Sequence, residues 1–175
     1  MMKKRKVLID RDFWCGEEVY RIMNDFKLPD EEELKAVCRY FRPAVKSVPK
    51  NMVSAWLHGE YSLNYEKVCD ILDDIENGYG RYAPRNLPKL PPIEVIMDDF
   101  KVLRDVNFLY CSTEFLSKEI LGGSTAIIKA YRNGIYSYLS YAKVCKICDY
   151  LLEKLENTID FVENEASDYI FVPDI

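Results

Sequence analysis

At 175 residues with 49% apolar side chains, the chain is too rich in core-forming residues for disorder and long enough for one ordinary domain or two small ones. No apolar run approaches the ~18 residues of a membrane span, and the N-terminus is too polar for a secretion signal. A cytoplasmic protein without a membrane partner is therefore expected. The net charge of −5 weighs against nucleic acid as a partner, although its distribution points the other way.

Met1–Lys6 carries four adjacent basic residues, suited to a solvated end or a phosphate-binding arm, and Val7–Ile9 reads as a short strand or a piece of core. Glu17–Phe26 places Val19, Ile22, Met23 and Phe26 at helical spacing, and Pro29 ends that helix. Asp30 opens a second helix with Glu33 as capping-box partner and an inner face of Leu34, Val37, Cys38 and Phe41, stopped by Pro43. A short helix from Lys50 to His58 closes on Gly59, where a left-handed cap favours glycine. Asn64 caps a fourth helix burying Val68, Ile71, Leu72 and Ile75, terminated by Asn77-Gly-Tyr-Gly80. Residues 81–92 hold Pro84, Pro88, Pro91 and Pro92 and read as an extended linker.

The order then repeats. Ile93–Leu103 is a helix; Ser112 caps one holding Phe115, Leu116 and Ile120; Gly122-Gly123 turns. Ser124 caps a short helix Thr125–Asn133 closed by Gly134, and Ser140 begins a longer one through Val144, Ile147, Cys148, Leu151, Leu155 and Ile159. The acidic tail ends in the apolar run Tyr169–Val172, which either packs on the body or meets another chain, as in a homodimer.

Three segment pairs carry the repeat. Ile-Met-(Asn/Asp)-Asp-Phe-Lys occurs at Ile22–Lys27 and Ile96–Lys101, and Met52–Gly59 matches Ile127–Gly134. Tyr-x-Lys-Val-Cys-x-Ile occurs at Tyr65–Ile71 and Tyr141–Ile147, the three pairs lying 74, 75 and 76 residues apart. Near-constant spacing is the mark of duplication. The expected fold is all-α, a tandem duplication of a four-helix module: residues 1–80, the proline-rich linker 81–92, a second copy at 93–158, and a tail at 159–175. Acids make up 29 of 175 residues, yet none falls between Lys35 and Gly59 or between Gly122 and Cys148. The first gap holds Lys35, Arg39, Arg42, Lys46 and Lys50; the second holds Lys129, Arg132, Lys143 and Lys146. Both gaps span the repeated short helix, where a locally positive field is expected.

In detail the repeated segment resembles the phage-repressor (Cro and lambda-repressor-like) helix-turn-helix family. That signature runs Gly-apolar-Ser/Thr, three residues, Ile/Val, Ser/Thr, any residue, Trp/Tyr, two residues, Gly, then a capped helix. The second copy supplies Gly122-Gly-Ser124, Ile128, Tyr131 and Gly134; the first supplies Val53, Ser54, Trp56 and Gly59, with Ser47 in place of the turn glycine. The resemblance implies that Val53 and Trp56, or Ile128 and Tyr131, lock the short helix while its other face enters a major groove. Base contacts then fall to Lys50, Asn51 and Ala55 in the first copy and Thr125, Ala126 and Ala130 in the second. Ser54, Lys129 and Arg132 reach phosphates, and Arg39, Arg42 and Lys46 extend the positive surface. Asn51 can read adenine and Lys50 guanine, whereas the second copy offers little beyond thymine-methyl contact.

The resemblance implies a DNA-binding transcriptional regulator of phage or mobile-element type, with double-stranded DNA as partner. The alternative is a helix-turn-helix-derived inhibitor that binds a host protein, in the manner of some anti-CRISPR proteins. A linker reaching ~40 Å suffices for half-sites one turn (~34 Å) apart. No enzymatic activity, cofactor or metal is expected. The single histidine, His58, suits a helix end; Cys145-x-x-Cys148 lies on an apolar helix stripe where thiols pack as small hydrophobes; Asp73-Asp74 and Asp98-Asp99 read as solvated faces.

Overall fold

The computed structural model describes residues 4–82, 84–165 and 169–173. Its body is all-helical, as expected. Strands occur, among the described residues, in one place: β1 (Lys4–Leu8) pairs antiparallel with β2 (Tyr169–Pro173), Leu8 opposite Tyr169 and Lys4 opposite Pro173. The basic N-terminal stretch and the apolar C-terminal run thus meet in one ribbon within the chain, and Ile9 just beyond β1 is buried.

The helices follow in chain order. A single turn, α1 (Arg11–Trp14), is capped by Asp10 and buries Phe13 and Trp14. Next comes α2 (Glu17–Phe26), with Val19, Ile22, Met23 and Phe26 inward, the four residues that the 3.6-residue period selects. In α3 (Glu31–Tyr40) Leu34 and Cys38 are buried as expected, whereas Val37 and Phe41 are half-buried. The expected capping box is not formed, for the Asp30 side chain accepts no bond from α3. Lys35 departs from expectation more sharply. Only 6% exposed, it reaches back to Glu31 and Glu32 at 3.7 and 3.5 Å and lies over the Trp56 ring, so it adds nothing to a positive surface.

After a 3-10 turn at Arg42–Ala44 comes α4 (Lys50–Leu57), then α5 (Tyr65–Tyr79), whose Asn64 cap accepts from the Glu66 amide at 2.8 Å. The latter runs through Gly78, where a Cβ would lie 2.9 Å from that of Ala44, and stops at Gly80. Leu87 and Leu90 tie the proline-rich connection to the core.

In the second half α6 (Ile93–Asp105) leads to α7 (Thr113–Phe115), which continues as a π-helical turn, Leu116–Ile120. The Ser112 hydroxyl caps α7 through the Phe115 amide, as expected. Gly122 and Gly123 turn at φ +61° and +89°, α8 (Ala126–Asn133) closes on Gly134 at φ +63°, and α9 runs Tyr141–Glu165. It passes residue 158 without a break and buries Ile159 and Val162.

The buried side chains of both halves join in one hydrophobic cluster, with α2 and α5 packed on α9. Matching positions meet where α5 and α9 begin. The Tyr65 amide donates to Leu139 O at 3.0 Å, the Tyr141 amide to Leu63 O at 2.9 Å, and the two buried tyrosine rings stack at 5.7 Å. Their hydroxyls donate to Pro91 O and Pro29 O, so neither polar end is stranded inside.

Candidate nucleic-acid interface

The first short helix is held firmly. Val53, Trp56 and Leu57 of α4 are buried at 1, 1 and 6% exposure, one apolar stripe at i, i+3 and i+4. Its C-terminus is a Schellman motif: the Gly59 amide donates to Trp56 O at 3.0 Å and the Glu60 amide to Ala55 O at 2.8 Å, with Gly59 at φ +75°. His58 is exposed there, its Nδ1–H donating to Ser54 O at 2.7 Å.

The opposite face presents Lys50 and Asn51, both exposed, and half-buried Ser54 and Ala55. Two arginines brace it. Arg39 Nη2 donates to Leu57 O at 2.7 Å, a cation placed on the carbonyl end of the helix. Arg42 Nη2 donates to Ser54 Oγ and, at 3.3 Å, to Lys50 O. Expected as a phosphate contact, Ser54 is therefore an acceptor for Arg42, with only its own O–H left to donate. Arg42 lies half-buried between the turn and α4, where a cleft of about 450 Å³ is lined by Arg42, Pro43, Val45, Val48, Lys50 and Val53.

An aspartate fixes the turn before α4. Asp74 of α5 accepts from the Lys46 amide at 2.8 Å, the Ser47 amide at 2.7 Å and Ser47 Oγ at 2.8 Å. Those three donors hold its carboxyl below the usual range despite partial burial. The pair Asp73-Asp74 was expected on a solvated face; Asp73 is exposed, but Asp74 has a structural partner. Arg39, Arg42, Lys46 and Lys50 enter no salt bridge among the described residues.

The second short helix is seated differently. Ala126, Ile127 and Ala130 are buried at 3, 0 and 2%, while Ile128 and Tyr131, expected to be the locking pair, are half-buried. At about 100° per residue, this rolls α8 well over a quarter turn from the seating of α4. The physical reason is an apolar side wider than one stripe, Ala126, Ile127, Ile128, Ala130 and Tyr131, within which α7, the π turn and the Phe100 ring of α6 decide which residues go deepest. Tyr131 lies parallel to Phe100 at 6.3 Å with its hydroxyl 3.6 Å from Cys111 Sγ, and burial pushes that hydroxyl's pKa up. Ala126 and Ala130, expected to face a groove, therefore cannot reach one. Thr125, Lys129 and Arg132 remain as an outer stripe, Lys129 lying 4.1 Å above the Tyr138 ring and Arg132 3.5 Å from Glu114. The latter pair is exposed on both sides and holds Arg132 only weakly.

Elsewhere, Cys145 and Cys148 are free thiols pushed up by burial, Cys145 to about 11. The described residues contain no group of three or more His, Cys, Asp or Glu placed to hold a metal ion. Asp98 is exposed, but Asp99, expected on the same solvated face, is 2% exposed and salt-bridged to Arg21.

Compared with family models, curated proteins and solved structures, the chain matches none of them.

Proposed function

We propose that the protein binds double-stranded DNA through α4, as a regulator whose two halves derive from one duplicated helix-turn-helix module and of which only the first presents a reading helix. The observation that carries this is the outward face of α4, where Lys50 and Asn51 are exposed beside Arg39, Arg42 and Lys46, none of which enters a salt bridge among the described residues, the nearest acid being Asp74 bonded to the Lys46 backbone. An unpaired cationic surface around a rigid helix suits phosphate binding, and Lys and Asn side chains at the helix start suit base edges. Pro49 leaves the start of α4 without a side-chain cap, so the positive end of the helix dipole adds to the same attraction.

The test is a gel-shift titration of a mixed-sequence duplex at low salt. Binding that weakens steeply with added salt is the expected result, and no retardation at any protein concentration contradicts the reading.

A second reading, a host-protein-binding inhibitor, draws on the other half. With Ala126 and Ala130 buried, the neighbouring surface offers exposed Ile135 and Tyr138 instead of base-reading groups. A DNA-independent complex with one host protein, lost in Tyr138→Ala and retained in Lys50→Ala, would favour it.

A further inference from the structure

The repeated Ile-Met-(Asn/Asp)-Asp-Phe-Lys segments have a consequence separate from DNA. Their matching aspartates, Asp25 on α2 and Asp99 on α6, meet at one guanidinium: Arg21 Nη1 lies 3.1 Å from Asp25 Oδ2 and 3.1 Å from Asp99 Oδ1. The side chain of Asp99 is 3% exposed and that of Asp25 20%, and Asp99 Oδ2 is buried with no hydrogen-bond partner. One residue on in each segment, Phe26 and Phe100 pack at 5.4 Å, so the carboxyls sit at an apolar contact between the two halves of the chain.

We propose that Asp25 and Asp99 form a proton-sharing carboxyl pair through which pH sets the tightness of the α2–α6 contact. Charge balance is the reason. With one proton on the pair, Arg21 neutralises the remaining carboxylate, and the otherwise stranded Asp99 Oδ2 gains a proton to donate toward Asp25. With none, two carboxylates face one guanidinium, and an uncompensated charge sits where water has little access. The other groups facing the pair do not offset it. Glu18 on α2 lies 3.7 Å from Arg21 and competes for it, the Cys148 thiol on α9 and the Tyr65 hydroxyl on α5 are neutral, and Asp98 on α6 is exposed.

Burial and the Asp25 carboxylate push Asp99 up to about 7 against the opposing pull of Arg21, which puts the change near neutrality. A folded-state value raised above the unfolded one gives stability that is full below pH ~4 and is lost as pH rises through ~7.

Two measurements on the intact chain test this. In a carbon-13 NMR titration of the aspartate carboxyls, one resonance should titrate near pH 7; titration of every aspartate below pH ~5 would overturn the proposal. In urea unfolding, the wild-type folding constant should fall about tenfold or more between pH 5.5 and 8, while Asp99→Asn should lose most of that dependence. Equal pH slopes in the two proteins would likewise overturn it. Should Asp99→Asn fail to fold, the carboxyl titration of the wild type decides alone.

Discussion

Lys50 and Thr125 stand at matching points of the two short helices, yet their surroundings ask different things of them. Both are exposed, but Lys50 is followed by exposed Asn51, whereas Thr125 is followed by buried Ala126. Lys50 makes no side-chain bond among the described residues, so removing it should spare the fold. Lys50→Ala should weaken duplex binding roughly tenfold, by fluorescence anisotropy, with a melting temperature within about one degree of wild type. Arg39→Ala is less clean, because it also strips the Leu57 carbonyl of its 2.7 Å donor and should lower both affinity and stability. The candidate cations of the first copy were legible from the acid-free run in the sequence. Which of them face outward was not, since nothing in the spacing separates Lys35, turned in over Trp56, from Lys50, turned out.

Among the elements, α4 owes its orientation to two devices outside its own length. One is the Gly59 cap. A Cβ there meets nothing within 4 Å, so the cost of Gly59→Ala comes from the left-handed backbone alone, about 1 kcal/mol, measurable by urea unfolding. A much larger loss would mean that the cap is not the only role of that glycine. The other is Asp74, which holds the turn through two amides and a hydroxyl. Its folded-state pKa is lowered, so its contribution is present above the ordinary aspartate value near 4 and is lost as pH falls below it. Asp74→Ala should therefore destabilise at pH 7 by about 1–2 kcal/mol and much less at pH 3, by thermal melts at both. The glycine cap was readable from sequence, because Gly59 ends an apolar-periodic run. Asp74 was not, for an Asp-Asp pair on a helix looks solvated until the chain brings a turn from 27 residues away against one of them. For α8 the period marks the apolar side, Ala126, Ile127, Ile128, Ala130 and Tyr131 lying opposite Thr125, Lys129 and Arg132, but not which part of that side goes deepest, and packing chooses Ala126, Ile127 and Ala130.

Across the whole molecule, two similar stretches of sequence are packed against each other and seat their short helices differently. They share one hydrophobic cluster, their long helices begin against each other at Asn64 and Ser140, and their equivalent aspartates meet over Arg21. The helix order was legible because three segment pairs, one of them closing on Gly59 and Gly134, recur at 74 to 76 residues. How the halves meet was not, since helical spacing marks Phe26 as inward-facing without saying that its partner is Phe100 of the other half. It follows that binding should engage one face of the duplex, through α4. The measurement that tests this most directly is the salt dependence of duplex affinity for the wild type, Lys50→Ala and Lys129→Ala, side by side. The slope of log K against log salt should shrink by about one for Lys50→Ala and stay unchanged for Lys129→Ala. Equal slopes for wild type and Lys50→Ala, or a loss confined to Lys129→Ala, would contradict the assignment of α4 as the DNA-binding helix.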